Sequence, residues 1–289
     1  MASFLLVRDP DPTRRRQAVE AARKTLAARS GFDTGSFERG DIAVVWGLWH
    51  EAPRDFASTE QWDALLIGEA IPGPGPGRVS ASAWGVEWAH ATTPPAPHDG
   101  HHFAITVTAP GRITIAGDLL GFLPVGYATL GDVLLVASNP GLFRSHPLFR
   151  DELDPVAVTA ILMTNSLIGG ATIQRGVRRL AAGFVLRTEP GGPPFEELQF
   201  RPVVSGRHHG VPAVDCVWRL HEALRSAVRR QVLPGVRNTL LLSGGLDSRL
   251  LAGVLALEQM PVEAVTRGSP KDNEYQCARR VAAALGIPH

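Results

Sequence analysis

The chain has 289 residues, 44% of them hydrophobic and 20% charged, with a formal net charge of +1. That is apolar material for about two ordinary domains, which excludes wholesale disorder, and so neutral a balance argues against nucleic-acid binding by bulk phosphate attraction. Two cysteines, Cys216 and Cys277, give neither a disulfide framework nor metal-ligand spacing, and no apolar run is long enough to span a membrane.

Phe4-Leu5-Leu6-Val7 is a short strand-like run, too short for a signal-peptide core before Arg8-Asp9-Pro10. A reducing cytoplasm is therefore expected. From Thr13 to about Arg29, Val19, Ala22 and Leu26 take helical spacing with one apolar stripe. β-Favouring runs follow at Ile42–Trp46, Ala64–Ile67, Phe103–Thr108, Arg112–Ala116, Val133–Ala137 and Gly183–Thr188. A helix is expected over Pro155–Met163, and exposed loops over Pro72–Gly77 and Thr92–Gly100. Residues 1–200 thus read as an α+β layered domain.

The turn-rich stretches Pro190–Pro194 and Pro202–Pro212 set a boundary, with 201–213 as linker. Beyond it the pattern becomes helix, strand, helix, strand, helix. Val217, Leu220, Leu224, Ala227, Val228 and Gln231 lie at helical spacing, with Arg219, Arg225, Arg229 and Arg230 mostly outward. Thr239–Leu242 and Val262–Thr266 read as strands, Ser248–Leu257 and Asn273–Leu285 as helices. That order predicts a parallel sheet with a right-handed crossover over 214–289.

Leu240-Leu241-Leu242-Ser243-Gly244-Gly245-Leu246-Asp247-Ser248-Arg249 is the stretch that carries chemistry. A buried strand runs into Ser-Gly-Gly and then into a helix. Two adjacent glycines let backbone N–H groups approach an anion, and the helix start adds unpaired donors and the positive end of its dipole. Ser243 and Ser248 offer hydroxyl donors. Asp247 alone would repel phosphate, which makes sense if it holds a Mg²⁺ bridging to phosphate oxygens. The Gly-x4-Gly-Lys pattern is missing, so this is not the Walker-type loop.

The string resembles the PP-loop signature of the ATP-pyrophosphatase superfamily, and its extension is similar to the asparagine synthetase family. Asp272 to His289, ending Leu-Gly-Ile-Pro-His, looks like that family's stretch after the second strand. Ala116 to Tyr127 is similar to its Arg-Asp-x-x-Gly-x-x-Pro-Leu-Tyr-Tyr segment, Val136-Ala137-Ser138-Asn139 to its Phe-Ala-Ser-Glu, and Asp154 to Gly183 to its helix and Ile-Arg-Leu-Pro-Pro-Gly connection. The resemblance implies an N-terminal nucleophile-hydrolase-like αββα sandwich followed by the start of an α/β, Rossmann-like PP-loop synthetase domain. It further implies an ATP- and Mg²⁺-dependent ligase that activates a small-molecule or peptide carboxylate as an acyl-adenylate. Ser243, Gly244, Gly245, Asp247 and Ser248 would bind pyrophosphate and metal. Leu242 and the segment Thr266 to Gly268 would meet the adenosine through backbone groups.

The glutaminase half departs from the family pattern. The nucleophile position is Ala2 instead of cysteine, and Ser3 could serve only if Ala2 were removed. Ile67-Gly68-Glu69 stands for the family's Asn-Gly-Glu, and isoleucine cannot donate to an oxyanion. No Arg-Gly-Pro-Asp loop is found. The first domain is therefore expected to be a degenerate scaffold without glutamine hydrolysis, as in β-lactam synthetases and lasso-peptide cyclases. The family's synthetase domain is longer than residues 214–289, so the chain is expected to be a fragment or half of a split protein, inactive alone and completed by a C-terminal half or a second copy. A noncatalytic partner subunit and another PP-loop enzyme, such as a tRNA-modifying one, are the alternatives.

Other features receive plainer readings. His98-Asp99-Gly100-His101-His102 and His208-His209 are expected to be solvated loop histidines. Arg14-Arg15-Arg16 and Arg229-Arg230 fit solvated helix faces. Trp46, Trp49, Trp84 and Trp88 are spaced for strands, and Cys277 fits a small buried residue.

Overall fold

Strand β1 (Ser3–Arg8) is buried along its whole length, and its alternate side chains serve two different cores. Phe4 and Leu6 face one layer, Leu5 and Val7 another, as a period of two requires when a sheet is covered on both sides. A computed structural model describes residues 2–73, 77–167, 169–203, 205–206, 208–233 and 235–289. Pro74, Gly75 and Pro76 of the expected loop, and Val204 and Arg207 of the expected linker, lie outside the described residues. The backbone forms two compact units, Met1–Ala70 with Arg78–Pro202, and Ile71–Gly77 with Val203–His289.

In the first unit, helix α1 (Pro12–Ala27) follows β1 and is capped by Asp11, whose side chain accepts from the N–H groups of Thr13 and Arg14, with proline in the first turn. Next come β2 (Phe32–Arg39), β3 (Ile42–Trp49), β4 (Arg54–Ser58), β5 (Trp62–Ile71), α2 (Ala81–Ala89), β6 (Asp99–Thr108), β7 (Ile113–Gly117), β8 (Gly126–Leu130) and β9 (Val133–Ala137). A 3-10 turn over Pro140–Ser145 leads to α3 (Pro155–Thr164), β10 (Val177–Arg179), β11 (Phe184–Thr188) and β12 (Pro194–Leu198). Two six-stranded sheets result, ordered β10-β8-β9-β1-β3-β2 and β12-β11-β7-β6-β5-β4.

The cores assign the layers. Phe4, Leu6, Val44, Leu65, Ile105 and Ile115 fill the space between the sheets. Val19, Ala22 and Leu26 place α1 on the outer face of the first sheet. Trp84 and Trp88 place α2 on the outer face of the second. The order is α, β, β, α. Trp84 and Trp88 were expected on strands; they lie one turn apart on α2, their rings stacked 5.1 Å apart at 8°. Their four-residue spacing suits either period, and burial against Trp62 and Leu66 decides for the helix.

The histidine run also differs from expectation. Asp99 to His102 open strand β6, and His102 is buried with its ring 5.6 Å from that of Trp84. Burial, with His98 beside it, pushes the His102 imidazole down to about 4. His98 pairs with Glu87 at 3.2 Å. Strand β12 is not among the expected elements: Pro190–Pro194 reads as turn, and only its last residue begins the strand.

The end of β1 is held by a buried charged cluster. Asp9 accepts from Arg14 Nε and Nη2 at 2.9 and 2.8 Å, from Asp11 N–H at 2.8 Å, and pairs with His146 Nε2 at 3.0 Å. Leu148 N–H donates to His146 Nδ1, so Nε2 carries the proton that faces Asp9. Burial alone would raise the Asp9 carboxyl, but the bonds from Arg14, Asp11 and His146 outweigh it and hold it below its ordinary value.

In the second unit, α4 (Ala213–Gln231), β13 (Asn238–Leu241), α5 (Leu246–Leu257), β14 (Val262–Val265) and α6 (Asn273–Leu285) follow in order. β13 and β14 pair in parallel, with α5 as the crossover between them. Leu240, Leu242, Ala252, Leu255, Ala264, Ala278 and Ala282 form the core. Of α4 only Val228 is buried; Val217 and Leu220, expected on the packed stripe, are exposed together with Trp218.

Two acid transitions should separate in thermal melts. His102, neutral when folded and protonated more readily when unfolded, contributes stability that is lost as pH falls from about 6.5 towards 4, up to about 3 kcal/mol. Asp9, with its folded value depressed, contributes stability present above about 3.9 and lost as pH falls through its folded value. His102→Phe should flatten the first window. Asp9→Asn should flatten the second and lower stability at pH 7 by about 3 kcal/mol, because Arg14 loses its buried partner.

Candidate functional site

Leu242 ends the apolar run through β13, with its N–H bonded to Val265 O at 3.0 Å. The loop Ser243–Gly245 then turns the chain at the carboxyl end of the parallel strands, the usual ligand crevice of an open α/β sheet. Gly245 takes the cap position of α5 with extended backbone, and no side chain caps the helix. Arg249 N–H bonds to Gly245 O at 3.4 Å, so the N–H groups of Leu246, Asp247 and Ser248 precede the first helical bond. These donors and the helix dipole point out of the turn.

The two serines tie the loop to itself. Ser243 Oγ lies 2.9 Å from Ser248 Oγ and accepts from Gly245 N–H at 3.1 Å. Ser248 Oγ also donates towards Ser243 O and Gly245 O, at 3.1 and 3.2 Å, and accepts from Ser243 N–H at 3.2 Å. The expected hydroxyl donors therefore shape the turn in this state. Either can reach an incoming anion only by giving up one of these bonds.

Gly244 has a steric role. A Cβ there would lie 3.1 Å from Glu274 Cα and 3.4 Å from Cys277 Cβ, both on α6. The missing side chain lets the loop sit close against α6 without crowding Glu274. Cys277 is half-buried with Sγ 4.0 Å from Gly244 O, so it packs on the loop as well as in the helix bundle. Sequence spacing alone gave no signal for that contact.

Thr266 and Gly268 follow β14 on the same side. Thr266 Oγ1 donates to Leu242 O at 2.7 Å and lies 2.7 Å from His289 Nε2. Both backbone groups of Leu242 thus have partners within the chain. Gly268 has φ +144°, and Asp272 Oδ2 accepts from Ser269 N–H at 2.7 Å in the turn into α6. Leu242, Ser243, Gly244, Gly245, Asp247, Ser248, Thr266 and Gly268 all sit on the turns after β13 and β14. His289 and Tyr275, whose rings lie 5.4 Å apart, join that end of the unit.

Asp247 is the acidic residue of the first α5 turn, and it is exposed. Among the described residues no group of three His, Cys, Asp or Glu could hold a metal by itself. A lone exposed carboxylate fits a Mg²⁺ that is completed by phosphate oxygens and water.

The places corresponding to a glutaminase centre lie in the first unit. Ala2 packs partly buried against the inter-sheet core, and Ser3 is buried in β1. Ile67 is buried in the same core. Gly68 has φ +91°, and a Cβ there would fall 2.1 Å from His101 O, so any side chain is excluded. Glu69 pairs with Arg78 at 3.1 Å. Among the described residues no helix is long and apolar enough to cross a membrane.

Comparison with known proteins bears on the second unit first. Residues 219–289, which contain the loop and both strands, match the asparagine synthase family model. Over 188 residues the chain is 26% identical to carboxyethyl-arginine beta-lactam-synthase of Streptomyces clavuligerus, an alignment that covers 65% of this chain and 34% of that protein. The chain thus spans about a third of the length of this curated relative. Among solved structures, the glutamine phosphoribosylpyrophosphate amidotransferase from B. subtilis complexed with ADP and GMP is similar at TM-score 0.44 and 10% identity, covering 99% of this chain and 89% of that one. The structure of the allosteric regulatory enzyme of purine biosynthesis is similar at TM-score 0.44 and 13% identity, covering 97% and 69%. Residues 219–289 are thus similar to the asparagine synthase family, and the likeness to the beta-lactam-synthase extends over a longer part of the chain.

Proposed function

We propose that the chain belongs to an ATP-dependent ligase that forms an amide bond by activating a carboxylate as its acyl-adenylate, with AMP and pyrophosphate as products. The observation that carries this reading is the Ser243–Ser248 turn between a parallel strand and a helix, inside the segment that matches the asparagine synthase model. In this reading 214–289 is the start of a PP-loop synthetase domain, 201–213 a linker, and 1–200 a domain of the N-terminal nucleophile-hydrolase type. ATP would supply the activating group, and Mg²⁺ would offset the charge of the leaving pyrophosphate.

The chain's own residues then have definite tasks. The N–H groups of Leu246, Asp247 and Ser248 donate to the pyrophosphate, aided by the α5 dipole. Gly244 and Gly245 keep the approach open. Asp247 holds the metal. Leu242, Thr266 and Gly268 border the nucleoside.

The amine acceptor distinguishes two forms of this chemistry. Buried Ile67 offers no donor where the family places an asparagine amide, which supports an enzyme that takes no ammonia from glutamine. The likeness to a beta-lactam-synthase supports closure of an amide by an amine already present in the substrate. The carboxylate belongs to a small molecule or a peptide, and the reaction runs in a reducing cytoplasm without nucleic-acid or membrane partners.

Exchange of labelled pyrophosphate into ATP, run on the full-length protein against pools of amino-acid and peptide carboxylates, tests the reading. Substrate-dependent exchange is expected. Asp247→Ala should reduce it at least a hundredfold with an unchanged melt, since the side chain is exposed. Gly244→Ala should weaken ATP binding about tenfold, because the new methyl group crowds Glu274 and shifts the loop relative to α6. No exchange with any carboxylate, and ATP binding indifferent to Asp247→Ala, would sink the ligase assignment. Glutamate release from glutamine should stay at background; release above background would overturn the view of the first domain.

A further inference from the structure

Charge supply at the loop raises a question that the glycines and serines do not answer. Pyrophosphate leaves with several negative charges. A helix terminus presents only about half an elementary charge. The loop serines are engaged with each other and with backbone groups. Besides the Mg²⁺ that Asp247 would hold, one residue of the first α5 turn brings a cationic side chain beside it.

Arg249 is held against the turn by its own side chain: Nε donates to Gly245 O at 3.2 Å. Gly245 O also receives Ser248 Oγ at 3.2 Å and the Arg249 N–H at 3.4 Å. In a trans peptide the carbonyl and the following N–H point in opposite directions. Three donors fixing that oxygen therefore aim the Leu246 N–H away from the helix, towards the anion. The same bond places the guanidinium beside the mouth of the turn.

Its charge is also left uncompensated. Arg225 and Arg229 both pair with Glu258, and Arg237 pairs with Glu263 at 2.5 Å. No carboxylate lies within 4.0 Å of the Arg249 guanidinium among the described residues, although Asp247 is only two positions away. Residues two apart on a helix face different directions, so the two charges can serve different partners. Arg267, Arg279 and Arg280 likewise lack a carboxylate pair among the described residues; Arg249 is set apart by its place against the turn, through its bond to Gly245 O.

We propose that Arg249 is a pyrophosphate-binding and loop-positioning residue: its Nε fixes the Gly245–Leu246 peptide while its terminal nitrogens donate to a phosphate oxygen of the leaving group. Asp247 with its metal and Arg249 directly would then flank the anion from two sides. The inference rests on the ligase reading above and adds a residue to it. A guanidinium presents a planar fork to a phosphate, which an ammonium does not.

Titration calorimetry of the full-length protein with magnesium pyrophosphate, magnesium ATP and AMP tests it. Arg249→Ala should weaken pyrophosphate binding about ten- to a hundredfold, ATP less, and AMP not at all. Arg249→Lys should recover part of the pyrophosphate affinity, and the wild-type affinity should fall with salt more steeply than that of Arg249→Ala. A purely structural role would weaken all three ligands together with the melting temperature, and would overturn the proposal. Pyrophosphate affinity within twofold of wild type in Arg249→Ala would overturn it too. Wild-type protein that binds neither pyrophosphate nor ATP would instead overturn the ligase reading itself.

Discussion

Strand β1 is buried on both faces in the middle of its sheet, and such a strand must end without leaving a polar group stranded. Asp9 meets that requirement at a cost that its neighbours offset. A carboxylate with no exposed surface is stable there only because Arg14 grips it from the first turn of α1, Asp11 N–H closes the turn, and His146 reaches it from the segment after β9. The end of β1, the start of α1 just after it and a segment 137 residues away are thereby pinned to one point.

The two units manage backbone polarity in opposite ways. In the αββα unit, donors and acceptors are consumed in two antiparallel ladders, and Asp118 takes up the N–H groups of Leu120, Phe122 and Leu123 in the connecting loop. Ile67 and Ser3 are spent on packing and pairing. In the second unit, a helix starts without a cap and leaves its first donors unused. Uncapped helix starts are costly in isolation, and a site that must receive an anion is a place where that cost has a use.

Within that second unit, electrostatics is sorted by position along α5. Asp247 and Arg249 stand at its start, where an anion would meet both. Glu258 stands just past its end and neutralises Arg225 and Arg229 of α4. Gly244 leaves room for α6 close to the turn, so α6 lines it with Glu274 and Cys277. Most of the site's shape therefore comes from what the side chains do not occupy.

The sequence by itself determined the features whose causes are local. Asp11-Pro12 and Asp154-Pro155 announce helix starts through cap and φ restraint, Gly286 ends α6 in the left-handed conformation, and Leu240–Ser248 specifies strand, turn and helix within nine residues. Only the tertiary structure decided the features that depend on partners distant in the chain. The edge strands β2, β4 and β12 carry mixed, half-polar sequences and become strands because a neighbour offers a ladder. Trp84 and Trp88 became helical through the surface they cover. His102 lost its water, and its basicity with it, to a core that its Pro- and Gly-rich surroundings did not foretell. Arg249 takes its place from the bond of its side chain to Gly245 O, and spacing along a chain cannot show which carbonyl a guanidinium will meet.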